Sequence, residues 1–276
     1  MTPEERGSTP DTAFYDTTYG SFAEQLTATI RAEAFGEEIG QNSWLTADEY
    51  REFFDWLGLD ASSEVLEVAS GSGGPALFMV REIGCRVTGI DLHEAGVAAA
   101  TEAAVEQGLA DRARFVSGDA RDPLPFDDES FDAVVCIDSI NHMFERQRVL
   151  EEWHRVLRRG GSALFTDPIT VTDMIRREEM VIRSGSMGEF VFTPPGLDER
   201  MLRAAGFDEV RVEDVTANMA AVSAAWLRAR ARHAAELDEI EGAEANAGFQ
   251  RFLGMVERLA SERRLTRLAY VARKAE

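Results

Sequence analysis

The stretch EVLEVASGSGGPALFMVREIGCRVTGIDL, residues 64–92, decides the fold of this chain. Val65, Leu66 and Val68 form a short apolar run, which is typical of a strand buried on both faces. A turn of small residues, 69–74, follows, and Pro75 stands where the first residue of a helix is expected. A strand, a glycine-rich turn and a helix in this order bring backbone N–H groups close to a bound ligand.

Two classes of cofactor fit this stretch. The spacing Gly71-x-Gly73-x-x-Ala76, with Asp91 at the end of the second strand about 20 residues on, satisfies the dinucleotide-binding pattern, in which the acid binds a ribose. Glu67 lies inside the first strand, just before the turn. Its carboxylate would repel a pyrophosphate and attract a cationic ligand, so it favours a positively charged cofactor.

The series Glu67-x-Ala69-x-Gly71-x-Gly73 resembles motif I of the class I S-adenosylmethionine-dependent methyltransferases, which reads acid-x-Gly-x-Gly-x-Gly. Ala69 departs from the motif at its first glycine, a minor change if that position does not require positive φ. The segments LPFDDESFDAVVC (124–136) and RVLRRGGSALFTD (155–167) also resemble this family, in particular its quinone-type and natural-product methyltransferases.

The resemblance implies an α/β fold, with a Rossmann-like, seven-stranded, mostly parallel sheet and an antiparallel last strand. The alternation of Ala, Arg, Glu and aromatic positions over 217–262 predicts two or three further helices, which form a helical cap. We expect strands near 65–68, 86–91, 114–119, 132–137, 162–166, 207–215 and 265–274. The predicted units are an N-terminal helical lid (1–60), a cofactor-binding core (61–168), an insert and helix (169–204), the final strands of the core (205–216 and 264–276) and a helical cap over the acceptor site (217–263).

By the same resemblance the cofactor is S-adenosyl-L-methionine. The acid and small residue after the third strand, Asp119 and Ala120, are expected beside the adenine, and Ser139 and His142 at the methionine end. The predicted cofactor residues are Glu67, Ala69, Gly71, Gly73, Asp91, Leu92, Asp119, Ala120, Asp138, Ser139 and His142.

Methyl transfer from a sulfonium is an in-line displacement that needs orientation, exclusion of water and, for a hydroxyl acceptor, removal of a proton. His142 is predicted as the general base because histidine titrates near neutrality, and Asp167, at the end of the fifth strand, as its partner. The alternative is that His142 packs against the cofactor and that proximity alone drives the reaction. A hydroxyl of a small molecule in specialised metabolism is the predicted acceptor, with amine or carbon as alternatives.

Two other functions stay open at this point: a nicotinamide-dependent oxidoreductase and a non-catalytic S-adenosylmethionine-binding module. Tyr19, Trp44 and Trp226 are predicted to contact the acceptor, although Trp44 precedes a capped helix and could simply pack there. Arg176, Arg177 and Arg183 in the insert could bind an anionic acceptor, but the interleaved glutamates favour a solvated helix face. No metal-ligand spacing is visible.

The composition argues against some classes of binding partner. The formal net charge of −21 argues against nucleic acid and anionic membranes, which attract positive surfaces. No apolar run approaches the length of a membrane span or a signal sequence, so a cytoplasmic protein is expected. The predicted partner is a small-molecule acceptor, and a homodimer is allowed.

Overall fold

The computed structural model describes residues 25–184 and 190–276. The helices are α1 (Gln25–Phe35), α2 (Ala47–Leu57), α3 (Gly74–Ile83), α4 (Glu94–Glu106), α5 (Arg146–Val156), α6 (Arg177–Ser184), α7 (Leu197–Ala204), α8 (Thr216–Arg232), α9 (Ala234–Leu237) and α10 (Ala243–Ser261). The strands are β1 (Glu64–Val68), β2 (Arg86–Asp91), β3 (Ala113–Ser117), β4 (Phe131–Cys136), β5 (Leu157–Val171), β6 (Glu209–Asp214) and β7 (Leu265–Arg273). Predictions for Tyr19 and the rest of residues 1–24 fall outside the described residues.

The strands form one seven-stranded sheet in the order β3-β2-β1-β4-β5-β7-β6. β7 runs antiparallel to both β5 and β6, and the pairs among β1 to β5 are parallel. This confirms the predicted fold class. The chain order reverses between β1 and β4, and in sheets of this kind ligands bind in the crevice at that reversal. The glycine turn after β1 and the loop after β4 both open onto it.

Alternation along each strand divides the side chains between two cores. Val65 faces the core that contains α2 and α3, whereas Leu66 and Val68 face the core that contains α5. Glu67 follows the same alternation as Val65, so the period of two places its carboxylate beneath α2 and not among the aliphatic residues around α5.

A third core belongs to the helices that cover the carboxyl edge of the sheet. Apolar side chains of α1, α8 and α10 pack together there with Trp44 and with Ile169 near the end of β5. The sequence predicts two or three helices over 217–262, and the structure has α8, α9 and α10, with a π-helical turn at 238–242. The unit boundaries given above remain a prediction.

Two strand predictions were inexact. β5 is predicted at 162–166 but continues to Val171, because its last residues pair with β7 (Thr170 with Thr266, Val171 with Leu265). Pro168 falls where the register of that pair shifts, and an irregular position of this kind tolerates a residue without an N–H. The third strand ends at Ser117, so Asp119 lies in the loop beyond it.

Ala69 adopts the positive φ on whose absence the interpretation of the Gly-to-Ala departure as minor depends. Its φ is +58°, in the left-handed region that disfavours a Cβ. The condition for calling the Gly-to-Ala departure minor therefore fails, and the site carries local strain of about 1–2 kcal/mol.

A backbone contact fixes the N-terminal part of the chain against the glycine turn. A Cβ built on Gly74 would lie 2.4 Å from the carbonyl oxygen of Ile39 and 2.5 Å from the Cα of Gly40. Gly40 has φ +80°, and a Cβ there would lie 2.8 Å from the Cα of Gly74. Gly74 is thus bare because another backbone passes over it, which the sequence pattern alone did not indicate.

We expect Gly74→Ala to push the 39–41 segment off α3 and lower the free energy of unfolding by about 1–3 kcal/mol, the usual cost of overpacking. Gly248→Ala in α10 is the matched control, since its new Cβ would meet no atom nearer than 3.8 Å. Urea unfolding measures both, and limited proteolysis reports release of the segment. Equal stability of Gly74→Ala and the wild type would contradict the contact.

Candidate active site

The glycine turn is tied to the end of β2 by hydrogen bonds. The N–H of Ser70 donates to the carbonyl oxygen of Ile90 (3.2 Å), and the N–H of Gly71 donates to Oδ2 of Asp91 (2.7 Å). The other carboxylate oxygen of Asp91 accepts from the N–H of His93 (2.8 Å). Burial raises the pKa of Asp91, against the effect of these two N–H groups. Asp91 therefore shapes the turn as well as offering an acid at the strand tip.

Gly73 has no room for a side chain. Its φ is +78°, and a Cβ would lie 2.7 Å from the Cβ of Ala100 and 2.8 Å from Cζ of Phe115. The turn consequently presents bare backbone at the start of α3, as required for close approach of a ligand.

Glu67 is a buried acid with incomplete hydrogen bonding. Its Oε1 accepts from the hydroxyl of Tyr50 on α2 (3.3 Å), whereas Oε2 is buried with no hydrogen-bond partner among the described residues. Burial raises the pKa of Glu67 to about 8; the Tyr50 hydrogen bond opposes this shift, and the charge of Asp91 adds to it. An unpartnered carboxylate oxygen beside a bare turn suits a ligand that brings a positive charge, and the sulfonium and ammonium groups of S-adenosylmethionine fit that requirement.

Glu67 lines a cavity that is partly open to solvent. One part of its lining comes from the two strand ends at the crevice and includes the predicted cofactor residues Glu67, Ala69, Gly71, Asp138, Ser139 and His142. The predicted cofactor residues Gly73, Asp91, Leu92, Asp119 and Ala120 lie outside this lining.

The other part of the lining is aromatic and comes from the cap and from the segment that precedes α2. Trp44 and Trp226, both predicted acceptor contacts, line the cavity with their ring centroids 6.2 Å apart. Phe249 lies 5.4 Å from Trp226, and Phe252 lies 6.2 Å from Trp44. Trp44 also precedes α2, whose N-cap is Thr46, so it both packs and lines the cavity.

Asp138 is held by a buried arginine that the sequence analysis missed. Nε of Arg267 on β7 donates to Oδ1 of Asp138 (2.7 Å), and Nη1 donates to both carboxylate oxygens of Glu49 on α2 (2.8 and 2.7 Å). Oδ2 of Asp138 accepts from the N–H of Trp44 (2.9 Å). Burial alone would lower the pKa of Arg267, but Asp138 and Glu49 outweigh it and raise that pKa.

A signal for Arg267 was present in the sequence. The last strand reads LTRLAYVAR, and its alternation places Arg267 on the same face as Ala269 and Val271, which pack in the core around α2. A fully buried arginine at such a position requires a buried partner acid.

His142 and Asp167 do not share one environment. His142 ends a short 3₁₀ turn, Ile140–His142, and lines the cavity. Asp167 is fully buried, binds Nη1 of Arg146 (2.8 Å), and accepts from the hydroxyl of Thr193 and the N–H of Ile169 (both 3.1 Å). These contacts favour a structural role for Asp167 over the predicted catalytic partnership.

Asp119 is also engaged within the chain. Its Oδ1 accepts from Nε of Arg121 (2.9 Å) and its Oδ2 from Nη2 (2.6 Å), so an adenine amine would share this carboxylate with a guanidinium. Arg121 was not singled out from the sequence.

The insert arginines differ from one another. Arg176 and Arg177 are exposed, as a solvated face predicts, but Arg183 is only 4% exposed and lines the cavity. The prediction that all three lie on a solvated face is therefore wrong for Arg183.

Two further findings concern the described residues as a set. Within 25–184 and 190–276, His, Cys, Asp and Glu side chains form no group of three that could hold a metal ion. No helix in those ranges combines the length and apolarity needed to cross a membrane.

The chain resembles known methyltransferases in sequence and in structure. Residues 66–165 match the family model described as a methyltransferase domain. The chain is 31% identical over 226 residues to 27-O-demethylrifamycin SV methyltransferase of Amycolatopsis mediterranei, with 80% of each chain covered. It is 34% identical over 180 residues to sarcosine/dimethylglycine N-methyltransferase of Halorhodospira halochloris, covering 65% of this chain and 63% of that one.

A solved structure shares the fold over nearly the whole chain. The putative sarcosine dimethylglycine methyltransferase of Galdieria sulphuraria superposes with a TM-score of 0.78 at 18% identity, over 95% of this chain and 98% of that one. With the sheet order, the bare turn and the buried acid, the similarity to the Amycolatopsis enzyme gives one conclusion: the chain belongs to the class I S-adenosylmethionine-dependent methyltransferases.

Proposed function

We propose that the chain methylates a hydroxyl group of a small molecule in specialised metabolism. The relative that aligns over four-fifths of both chains is named for an O-methylation, of 27-O-demethylrifamycin SV. The observation that carries the proposal is that His142, a residue able to accept the hydroxyl proton, lines the same cavity as Glu67, Gly71 and the aromatic residues of the cap.

The positions of the residues around the cavity suggest a role for each of them in the reaction. Bound S-adenosylmethionine supplies an electrophilic methyl group. Glu67 attracts its positive charge, Asp91 binds its ribose, and Asp138 and Ser139 form the wall after β4. The rings of Trp44 and Trp226 orient an apolar acceptor and exclude water from the reaction. An unprotonated ring nitrogen of His142 takes the proton that the hydroxyl oxygen loses on methylation.

A second candidate is methylation of an amine. The aromatic lining around Trp226, Phe249 and Phe252 suits a cationic acceptor, and one relative is named for N-methylation of sarcosine and dimethylglycine. An amine that reacts as its free base needs no general base at the transition state, so the contribution of His142 separates the two candidates. A non-catalytic binding module, the third possibility, predicts no turnover with any acceptor.

We expect His142→Gln to reduce kcat for hydroxyl acceptors by about 100- to 10,000-fold, the usual contribution of a general base. The measurement is release of S-adenosylhomocysteine with a panel of phenols and alcohols and with the matched amines. His233→Gln is the control, because His233 lies at the end of α8 with Glu33 and Glu236.

Turnover of amines alone would reject the proposed hydroxyl acceptor. Turnover of hydroxyl acceptors at an unchanged rate in His142→Gln would reject only the role of His142 as base.

We also expect cofactor affinity to depend on pH through Glu67. Its raised pKa of about 8 means that the ligand-free protein holds this side chain protonated at neutral pH. A cationic ligand beside it lowers that pKa, so binding releases a proton and becomes stronger as the pH rises towards 8, then levels off. Calorimetry in buffers of different ionisation enthalpy measures the released proton directly.

Glu67→Gln should bind the cofactor more weakly and lose both the pH dependence and the released proton. Glu52→Gln, an exposed position on α2, should retain both. Identical pH profiles for the wild type and Glu67→Gln would contradict this role.

A further inference from the structure

Arg183 is placed in the cavity by α6, a helix that is anchored through a buried acid on the same face. Glu179, one turn earlier on α6, is fully buried and binds Nη2 of Arg264 (2.5 Å) and Nη2 of Arg258 (3.1 Å). Residues four apart lie on one face of a helix, so the contact that seats Glu179 also turns Arg183 inward. Arg177, on the same helix, remains exposed.

The guanidinium of Arg183 lies against two aromatic rings. Its central carbon is 4.8 Å from the ring centroid of Phe190 and 5.3 Å from that of Phe252, which itself lines the cavity. Stacking uses the faces of a guanidinium and leaves its N–H groups, which point outward in the plane, for hydrogen bonds. With five such donors, Arg183 can bind protein atoms and still present one edge to a ligand.

The charged residues of the lining come from different elements of the fold. Arg183 is the one arginine or lysine among the described residues that line the cavity, and it lies with Trp226, Phe249 and Phe252 of the cap. The acids of that lining, Glu67 and Asp138, belong to the strand ends at the crevice, and Asp138 is held by Arg267. A guanidinium in the lining of the aromatic part of the cavity offers N–H donors to a ligand that brings a negative charge there.

We propose that Arg183 selects an acceptor that carries a carboxylate, which it binds through two parallel N–H···O contacts. A planar carboxylate matches the fork of a guanidinium, and the rings of Phe190 and Phe252 lie against the guanidinium that forms this fork. This inference rests on the proposed function, since it identifies the acceptor of the same cavity as a hydroxylated acid.

The test uses matched carboxylic acids and primary amides of the same shape: benzoate with benzamide, and phenylacetate with phenylacetamide. Calorimetry measures their binding to the protein saturated with S-adenosylhomocysteine. We expect the acids to bind about tenfold or more tightly than the amides, the usual effect of a charge-assisted hydrogen bond. Arg183→Met should abolish the preference for acids, and Arg183→Lys, which keeps the positive charge, should retain part of it. The exposed control Arg177→Met should show the same preference as the wild type.

Equal binding of acids and amides to the wild type would overturn the proposal, as would an acid preference that survives in Arg183→Met, or the absence of acid binding at millimolar concentration. Unchanged affinity of Arg183→Met for S-adenosylhomocysteine shows that the variant is folded. The atom that is methylated is identified separately by product mass spectrometry. Methylation of hydroxyls without acid preference rejects this inference alone, whereas methylation of amines alone rejects the proposed function.

Discussion

The charge of Arg267 is the constraint on which the site depends. A fully buried guanidinium is tolerated only where acids and hydrogen bonds compensate the loss of hydration, and here Glu49 and Asp138 supply them. The two acids come from α2 and from the loop after β4, so one side chain of β7 joins three parts of the chain. Asp138 also fixes the cavity wall, because its second carboxylate oxygen accepts a hydrogen bond from the backbone N–H of Trp44.

The segment between α1 and α2 is therefore fixed at two points. Gly40 lies against the backbone of Gly74 at the start of α3, and the backbone N–H of Trp44 is bound by Asp138. Between these contacts the segment lines the cavity with Asn42 and Ser43. Through Arg267 and Asp138, the last strand therefore holds in place the segment that covers one side of the cavity, and the end of the first strand forms another side. This cover supports the exclusion of water that displacement chemistry needs.

Individual strands and the acid behind the turn could be predicted from the sequence because they depend on local spacing and apolar periodicity, whereas the seven-stranded sheet and its antiparallel last strand were implied by the resemblance to the family. Features that depend on distant pairs were missed: Arg267 meets Glu49 across 218 positions, and Arg183 is buried by the cap, although the first turn of its helix is charged. The conformation of Ala69 was misjudged because a left-handed φ leaves no signature when the residue is not glycine. Asp167 was predicted to end the fifth strand, as a catalytic acid would, and only the structure shows that the strand continues to Val171 and that Arg146 binds Asp167.

A double-mutant cycle on Arg267 and Glu49 tests most directly whether this buried cluster organises the site. Arg267→Met and Glu49→Leu are unfolded in urea, alone and together, and the affinity of each variant for S-adenosylmethionine is measured. If the cluster holds α2 and Asp138 in place, each single change lowers the free energy of unfolding by about 3–5 kcal/mol, the double change costs clearly less than the sum, and Arg267→Met weakens cofactor binding. Losses that add within about 0.5 kcal/mol, with cofactor affinity unchanged, would contradict it.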